Sequence, residues 1–390
     1  NFSFIFDPLA QIMVFIIFIS ACTKANINGE ERSLENELKI NNAPDLGQQK
    51  EECTGSIKFD YPPVNLEKTE LMLPLGLMAG GHVTPIDHHY FQDFNNDKAD
   101  IEVYSPGDGY VISIQHMPGA KIGEDYRVII EHTCTISSIY IHIDILSEKL
   151  KKYAPEANSY SSPRVAVEAG ETIGYYSTNV DYNLVDTEVV LPGFIVKEHY
   201  EEEPWKIHVP NTFDYFNEPV RSKLIEKSLR TAEPIGGKID YDIESRLVGN
   251  WFQEGTGGYN GGPGNYWMGH LAFAYDYLDP ERIIISIGNY EGEDSMQFAV
   301  KGNSPDPAEV SIETGIVKYA LVNYDYLIAD GKYWDRKSLV KGIYTEEYDQ
   351  VLGTVLVQLA GDRKIRFETF PGKKSSQVST FTTNSKIYER

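Results

Sequence analysis

Short segments in which apolar and polar residues alternate recur along most of this chain and favour β structure. Between residues 57 and 192 the clearest are YVISIQ (110–115), YRVIIEH (126–132) and SSIYIHI (137–143). A period of two is typical of strands that bury one face. The turn GDG (107–109) precedes the first of these segments. We therefore predict an antiparallel β-sheet domain over 57–192.

The same pattern returns after residue 246. Six candidate strands cover 270–278, 282–288, 296–300, 314–322, 354–360 and 364–370. Short strands separated by turn signals predict a C-terminal β-barrel or β-sandwich over 246–390. Residues 193–245 are predicted to form a helical connector whose best helix covers 217–232. The fold class predicted for the whole chain is mainly β.

The first 22 residues differ from all that follows. An unbroken apolar run, residues 12–21, leads to Cys22. The run is too short for a permanent membrane helix and has the length of a signal-peptide core. The tetrad ISAC (19–22) resembles a bacterial lipobox, so we expect a signal peptide over 1–22, export to the cell envelope or periplasm and a lipid anchor to the membrane at Cys22. An ordinary cleaved signal and a buried strand are the alternatives. The polar stretch that follows, 23–56, is predicted to be a disordered tether.

Charge and cysteine content narrow the expected partners. The formal net charge is -23 at pH 7. An acidic surface repels phosphate backbones, so we expect no nucleic-acid partner. If Cys22 carries a lipid, Cys53 and Cys134 remain. Export would permit a disulfide between them, and two free buried thiols are the alternative.

The residues best suited to chemistry are concentrated in GGHVTPIDHHYF (80–91). Histidine and carboxylate side chains suit Zn²⁺, whereas loop histidines packed on a tyrosine would be purely structural. The later segment SSIYIHI adds His142. Strict alternation would place Ile139, Ile141 and Ile143 on one face of that strand, and Tyr140 and His142 on the other.

Several motifs in order resemble the zinc peptidase domain of the M23 (lysostaphin-type) family. After GGHVTPIDHHYF come SPGDGYV (105–111), YIH (140–142) and VEAGETIGYY (167–176). The family carries a His…Asp pair, a P-x-D-G-x-V turn, a Y-x-H strand, a V-x-x-G-x-x-I-G turn and a final H-x-H strand. The resemblance covers about residues 72–192. It implies a zinc-dependent domain that acts on cell-wall peptides.

The resemblance assigns roles residue by residue. His82 and Asp87 match the first two metal ligands, although four residues separate them instead of three. His142 matches the histidine that polarises water and steadies the intermediate. The stretch LVDTE (184–188) is the best candidate for the final motif, which puts Leu184 where a catalytic histidine belongs and Asp186 in the last ligand position. The implied zinc site, His82, Asp87 and Asp186, is therefore incomplete.

The second domain has one suggestive motif. Gly249-Asn250-Trp251 resembles the Gly-x-Trp of the first strand of lipocalin-like barrels, where the tryptophan closes the barrel bottom. A buried Trp in any β domain is the alternative interpretation.

Three functions remain open from the sequence. The first is an exported envelope protein whose degenerate M23-like domain binds cell-wall peptide or an envelope protein with little or no hydrolysis. Leu184 motivates this hypothesis. The second is an active zinc metallopeptidase acting on cell-wall peptides, motivated by the cluster at 82–90 with His142. The third is a small-ligand carrier that works through the C-terminal barrel.

Overall fold

A computed structural model describes residues 55–117, 124–261, 265–292, 295–361 and 363–390. The predicted signal peptide, Cys22, Cys53 and all but the last two residues of the predicted tether lie outside these ranges. Cys134 is disulfide-bonded. Since the chain has three cysteines, the partner of Cys134 also lies outside the described residues. Within the described ranges, no helix has the length and apolar composition needed to cross a bilayer.

Short strands dominate the first half of the chain, as the alternating segments predicted. They are β1 (Leu71–Leu73), β2 (His89–Gln92), β3 (Ile101–Tyr104), β4 (Gly109–His116), β5 (Tyr126–Glu131), β6 (Ile136–Ile143), β7 (Ile145–Leu146), β8 (Tyr160–Ser161), β9 (Val165–Val167), β10 (Thr172–Tyr176) and β11 (Asn179–Asp186).

These strands form two antiparallel sheets. The larger has the order β1-β2-β11-β6-β5-β4-β8, with β9 also paired to β4, and the smaller has the order β3-β10-β7. Fully buried side chains from the central strands, such as Val128, Tyr140 and Leu184, share one core with the smaller sheet. Strand β11 lies between β2 and β6, so side chains of three strands meet on the face opposite this core.

The helices of the described residues are short. The α-helices among them are α1 (Glu148–Lys151) and α2 (Val220–Lys227). Turns of 3₁₀ helix cover Lys197–Tyr200, Pro204–His208, Thr212–Tyr215, Gly258–Asn260, Tyr266–Gly269, Lys301–Asn303, Ile312–Thr314 and Ser375–Gln377. The predicted helix over 217–232 is too long, because the chain turns extended at Ser228 and the backbone N–H of Leu229 donates to Met72 of β1.

The second half of the chain is a closed antiparallel barrel, which decides between the predicted barrel and sandwich. Its strands are β12 (Gly249–Gln253), β13 (His270–Tyr275), β14 (Ile283–Ile287), β15 (Met296–Val300), β16 (Val317–Leu327), β17 (Tyr344–Gly361), β18 (Lys364–Pro371) and β19 (Lys386–Glu389). Each strand pairs with the next along the chain, and β19 returns to pair with β12.

Alternation along the barrel strands separates two kinds of packing. Leu271 and Phe273 of β13 belong to one buried cluster with residues of seven other strands, including Ile285 and Phe367. An eight-stranded barrel has an interior that side chains can fill, and this cluster fills it. The intervening residues, such as Ala272 of β13, pack outside against Met78 and Tyr241.

A loop of the first half is fixed to the barrel. Ser295 Oγ and Gln297 Nε2 both donate to the carbonyl of Gly80, and the N–H of Gly80 donates to Gln297 Oε1. A Cβ atom on Gly81 would lie 2.9 Å from the ring of Trp267. The barrel therefore determines where the residues that follow Gly81, beginning with His82, are placed.

Candidate functional site

Six charged side chains form a line across the face of the larger sheet that lies opposite the core, and we call them the charged chain. In spatial order they are Asp125, His142, Asp181, His88, Asp87 and Lys206. Five separate segments contribute to the charged chain, from the residue before β5 to the 3₁₀ turn Pro204–His208. Acidic and basic groups alternate along it, so each carboxylate lies beside at least one group of opposite sign.

Asp181 joins two histidines. Its Oδ2 atom lies 3.2 Å from Nε2 of His88 and 3.6 Å from Nε2 of His142. On its far side, His142 Nδ1 lies 3.0 Å from Asp125 Oδ2. The contact with His88 is a charge pair without hydrogen-bond alignment, since His88 Nε2 is buried without a hydrogen-bond partner among the described residues.

Asp87 is surrounded by donors from the protein itself. Its Oδ2 atom accepts hydrogen bonds from Asn183 Nδ2 and Trp205 Nε1, each at 2.9 Å. Its Oδ1 atom lies 3.4 Å from His88 Nδ1 and 3.9 Å from Lys206 Nζ. Both oxygen atoms of this buried carboxylate are therefore already engaged.

His142 reaches this face through an unusual backbone conformation. Its φ angle is 71°, in the left-handed region that most side chains avoid. Strict alternation from Tyr140, which lies in the core, would place His142 on the core face and Ile143 on the opposite face. Instead, Tyr140 and Ile143 both lie in the core. The prediction that Ile139, Ile141 and Ile143 share one face is therefore wrong. The turn at His142 reverses the alternation and brings its ring to Asp181.

The charged chain sets the protonation state of its members. Burial opposes the charge of His88, but Asp181 and Asp87 outweigh burial and raise the pKa of His88 to about 9. Burial raises the pKa of Asp87, but Lys206 and His88 outweigh it and hold that pKa well below its usual range. Burial, with the positive charges of His88 and Lys206, lowers the pKa of His82 to about 4.

The structure brings three of the four predicted site residues together. His82 lies beside His88, with ring centroids 6.2 Å apart, and Asp87 and His142 belong to the charged chain. Asp186 does not join them. Its Oδ2 atom accepts a hydrogen bond from the hydroxyl of Tyr215 at 2.6 Å.

The sheet register explains this correction. Asp181 lies opposite Ile141 and Asn183 lies opposite Ile139, all on the site face. Leu184 alternates with them and is fully buried in the core. Asp181-Tyr182-Asn183 is therefore the segment of β11 that faces His142 and Asp87. The sequence-based placement at 184–186 is three residues too far along the strand.

Five contributors were not predicted from the sequence: Asp125, Asp181, Asn183, Trp205 and Lys206. Asp181 and Asn183 carried a detectable signal, because polar residues two apart in the apolar strand NVDYNLVD face one side. Trp205 and Lys206 carried none, since they lie in the irregular connector and approach Asp87 only in the folded chain.

The donor set does not fit zinc. Zinc is held by Cys, His and carboxylate ligands in a tetrahedral arrangement. In the part of the chain that the structure describes, no group of three or more His, Cys, Asp or Glu side chains is arranged to hold a metal ion. Asn183 presents an amide beside Asp87, and its Oδ1 atom accepts no hydrogen bond from the described residues. An amide oxygen suits hard cations rather than zinc.

Comparisons with known proteins give a distant structural similarity. No protein-family model matches the chain, and no curated protein matches it. A crystal structure of a zinc-containing peptidase from Vibrio cholerae is similar over 34% of this chain and 38% of its own, with 19% sequence identity and a TM-score of 0.24. The chain thus spans less than half the length of that peptidase.

Proposed function

We propose that this chain is an exported cell-envelope protein whose first half is a non-hydrolytic relative of M23 peptidases and binds cell-wall peptide. The ordered motifs at 80–91, 105–111, 140–142 and 167–176 support the relationship. The apolar run before Cys22 supports export and lipid attachment. The barrel is a supporting domain that fixes the loop carrying His82.

One observation carries the non-hydrolytic part of the proposal. Asp87, a ligand in the implied metal site, is engaged by Asn183, Trp205 and charged neighbours on both oxygen atoms. A metal would have to displace these donors and lie beside the cation Lys206. Without a metal, nothing in the charged chain supplies the Lewis acid that this peptidase chemistry requires.

The charged chain is better suited to binding than to structure alone. His88 and His142 are half-buried, so their rings reach both solvent and the buried carboxylates. A protonated His88 beside neutral His82 places a fixed positive charge next to a neutral imidazole on this face, which suits polar groups of a peptide. Alternating charges hold both rings in place, which keeps this face preorganised.

Metal analysis with a sedimentation assay tests the proposal. We expect the purified protein to hold much less than one equivalent of zinc, to leave cell-wall peptides uncleaved and to sediment with peptidoglycan sacculi. His88→Gln and His142→Gln should weaken sedimentation several-fold. His132→Gln is the matched control, because His132 contacts Asp108 and Ser138 away from the charged chain.

Two results would overturn the proposal. One equivalent of zinc, with hydrolysis that His82→Ala abolishes, would show an active metallopeptidase. Sedimentation that is unchanged in both His88→Gln and His142→Gln would show that the charged chain does not bind cell-wall peptide. Binding of the purified protein to an envelope protein but not to sacculi would show that the partner is that protein.

The small-ligand carrier is the weaker candidate. The closed barrel and the buried Trp251 favour it. However, the inward-facing side chains of the barrel form a single buried cluster. Extraction of the purified protein with organic solvent tests this function, and an apolar compound recovered from wild type but not from Trp251→Ala would support it.

A further inference from the structure

Lys206 is buried in an unusual way for a lysine. Its side chain is 3% exposed, yet its ammonium donates no hydrogen bond within the described residues. Its Nζ atom lies 3.9 Å from Asp87 Oδ1 and 5.0 Å from the ring centroid of Tyr259. Lysines are seldom fully buried unless they are paired, so this position calls for a physical reason.

The position of Lys206 places a fixed positive charge against Asp87. Its Nζ atom lies 3.9 Å from Asp87 Oδ1, and both side chains are buried, at 3% and 7% exposure. Asp87 is a ligand in the implied metal site, so the ammonium lies against the carboxylate that a bound cation would contact.

We infer that Lys206 is a built-in cation that takes the electrostatic place of a metal ion beside His82 and Asp87. The inference rests on the proposed relationship to zinc peptidases, and it explains how the site stays ordered without a metal. Two changes would then separate this site from a metal site. Asn183 would stand in for a third ligand, and Lys206 would repel a divalent cation.

The neighbours of Lys206 agree with this role. Tyr259 belongs to the 3₁₀ turn Gly258–Asn260, and its ring faces the ammonium, which favours a cation at this point. The hydroxyl of Tyr259 is hydrogen-bonded to Thr84, between His82 and Asp87 in the chain. The barrel half thereby holds both the loop with the candidate ligands and the aromatic ring against the cation.

Restoration of a metal site tests the inference. The proteins compared are wild type, Asn183→His, Lys206→Met and the double variant, each titrated with ZnCl₂ by calorimetry and with CoCl₂ by visible absorption. We expect the double variant to bind one equivalent of zinc at least about 100-fold more tightly than Asn183→His alone, because a positive charge beside the ligand Asp87 repels Zn²⁺ strongly in a buried site. Asn183→His with Lys238→Met is the matched control, since Lys238 pairs with Asp240 outside the charged chain.

Lys206→Gln replaces Lys206→Met in both titrations if Lys206→Met does not fold, as judged by circular dichroism. Equal zinc affinity of Asn183→His with and without Lys206 would overturn the inference.

The result separates the two ideas. If wild type binds one equivalent of zinc, both the proposed non-hydrolytic function and the role of Lys206 fail. If wild type is metal-free and the double variant gains zinc, but wild type does not sediment with sacculi, the role of Lys206 stands and the binding function fails. If wild type is metal-free and the double variant gains no zinc, the role of Lys206 fails and the binding function stands.

Discussion

Two buried groups of charges in this molecule satisfy their hydrogen-bonding capacity to different degrees. At the barrel end, Arg390 donates to the carbonyls of Ile243, Arg246 and Val248 and contacts Asp242. In the charged chain, Lys206 donates no hydrogen bond within the described residues, and the buried atoms His88 Nε2 and Asn183 Oδ1 have no hydrogen-bond partner there. Both terminal nitrogen atoms of Arg390 are hydrogen-bonded, whereas the charged chain keeps unused donors and acceptors.

The Arg390 group shows what a structural use of buried charge looks like. The guanidinium carbon of Arg390 lies 4.1 Å from the ring centroid of Trp251, whose indole N–H donates to the Leu247 carbonyl. Gly249 completes the group, because a Cβ atom there would lie 2.0 Å from Asp242 Oδ1. Gly249 and Trp251 of the Gly-x-Trp motif therefore both pack against the Arg390 group.

This difference in hydrogen bonding indicates that the charged chain, rather than the Arg390 group, is the better candidate for a functional site. Satisfied buried charges stabilise one conformation, whereas unsatisfied buried polar atoms cost stability and persist where they have another use. Four substitutions test whether the two groups differ as the structure indicates.

Arg390→Met should have the largest effect. It leaves Asp242 buried without its cation and three carbonyls without a donor, so we expect a loss of about 3–5 kcal/mol in the free energy of unfolding. Urea denaturation measures this loss. Arg363→Met removes an exposed pair with Glu244 and is the control, which should change stability far less. A small loss in Arg390→Met would show that the barrel does not depend on the Arg390 group.

His88 should make stability depend on pH on the alkaline side. Its pKa in the folded protein, about 9, is above the unfolded value of 6.5. Its contribution is therefore complete below pH 6.5 and is lost as the pH rises through 9, by on the order of 1–3 kcal/mol. The measurement is the difference in unfolding free energy between wild type and His88→Gln at pH 6 and at pH 10. An equal difference at both pH values would contradict the pairing of His88 with Asp181.

His142 tests the cost of the turn that brings its ring to the charged chain. Glycine adopts a φ of 71° without strain, whereas a β-branched residue does not. We expect His142→Val to be less stable than His142→Gly by about 1–2 kcal/mol. Ile141→Val and Ile141→Gly, at the neighbouring extended position, form the control pair and should show the opposite order.

Lys206→Met should have the smallest effect on stability, about 1 kcal/mol. Asp87 loses one cation but keeps Asn183, Trp205 and His88 as partners, and the ammonium makes no hydrogen bond that the substitution would remove. Methionine also recovers the cost of burying a charge. Thermal denaturation at neutral pH measures the change. A loss as large as that of Arg390→Met would make the charged chain a structural element like the Arg390 group and would remove the contrast between them.

Much of the fold could be predicted because the alternation of apolar and polar residues within short segments indicates where the strands lie. Apolar and polar residues alternate over most of segments such as 126–132 and 364–370, and the strands Tyr126–Glu131 and Lys364–Pro371 follow these segments closely. The short strands β12 and β19 were missed, because Gly249–Gln253 is almost entirely buried and Lys386–Glu389 follows a polar stretch. Periodicity cannot identify a strand that is buried on both faces.

The candidate site could be predicted only in part. His82, Asp87 and His142 carry unusual chemistry in short motifs, so their candidacy could be read from the sequence. The final strand could not be aligned, because a shift of an odd number of residues exchanges the two faces of a strand. Only pairing with β2 and β6 fixed that register, and it placed Leu184 in the core.

The sequence by itself determined that the chain is mainly β, with antiparallel strands in both halves, because strand periodicity and turn residues act over a few neighbours. Tertiary structure alone decided that β19 closes the barrel on β12 and that Lys206 lies beside Asp87. These contacts join residues more than a hundred positions apart, and no local pattern encodes them. The electrostatics of the candidate site depend on such contacts, because Lys206, which places a positive charge beside Asp87, lies in the connector.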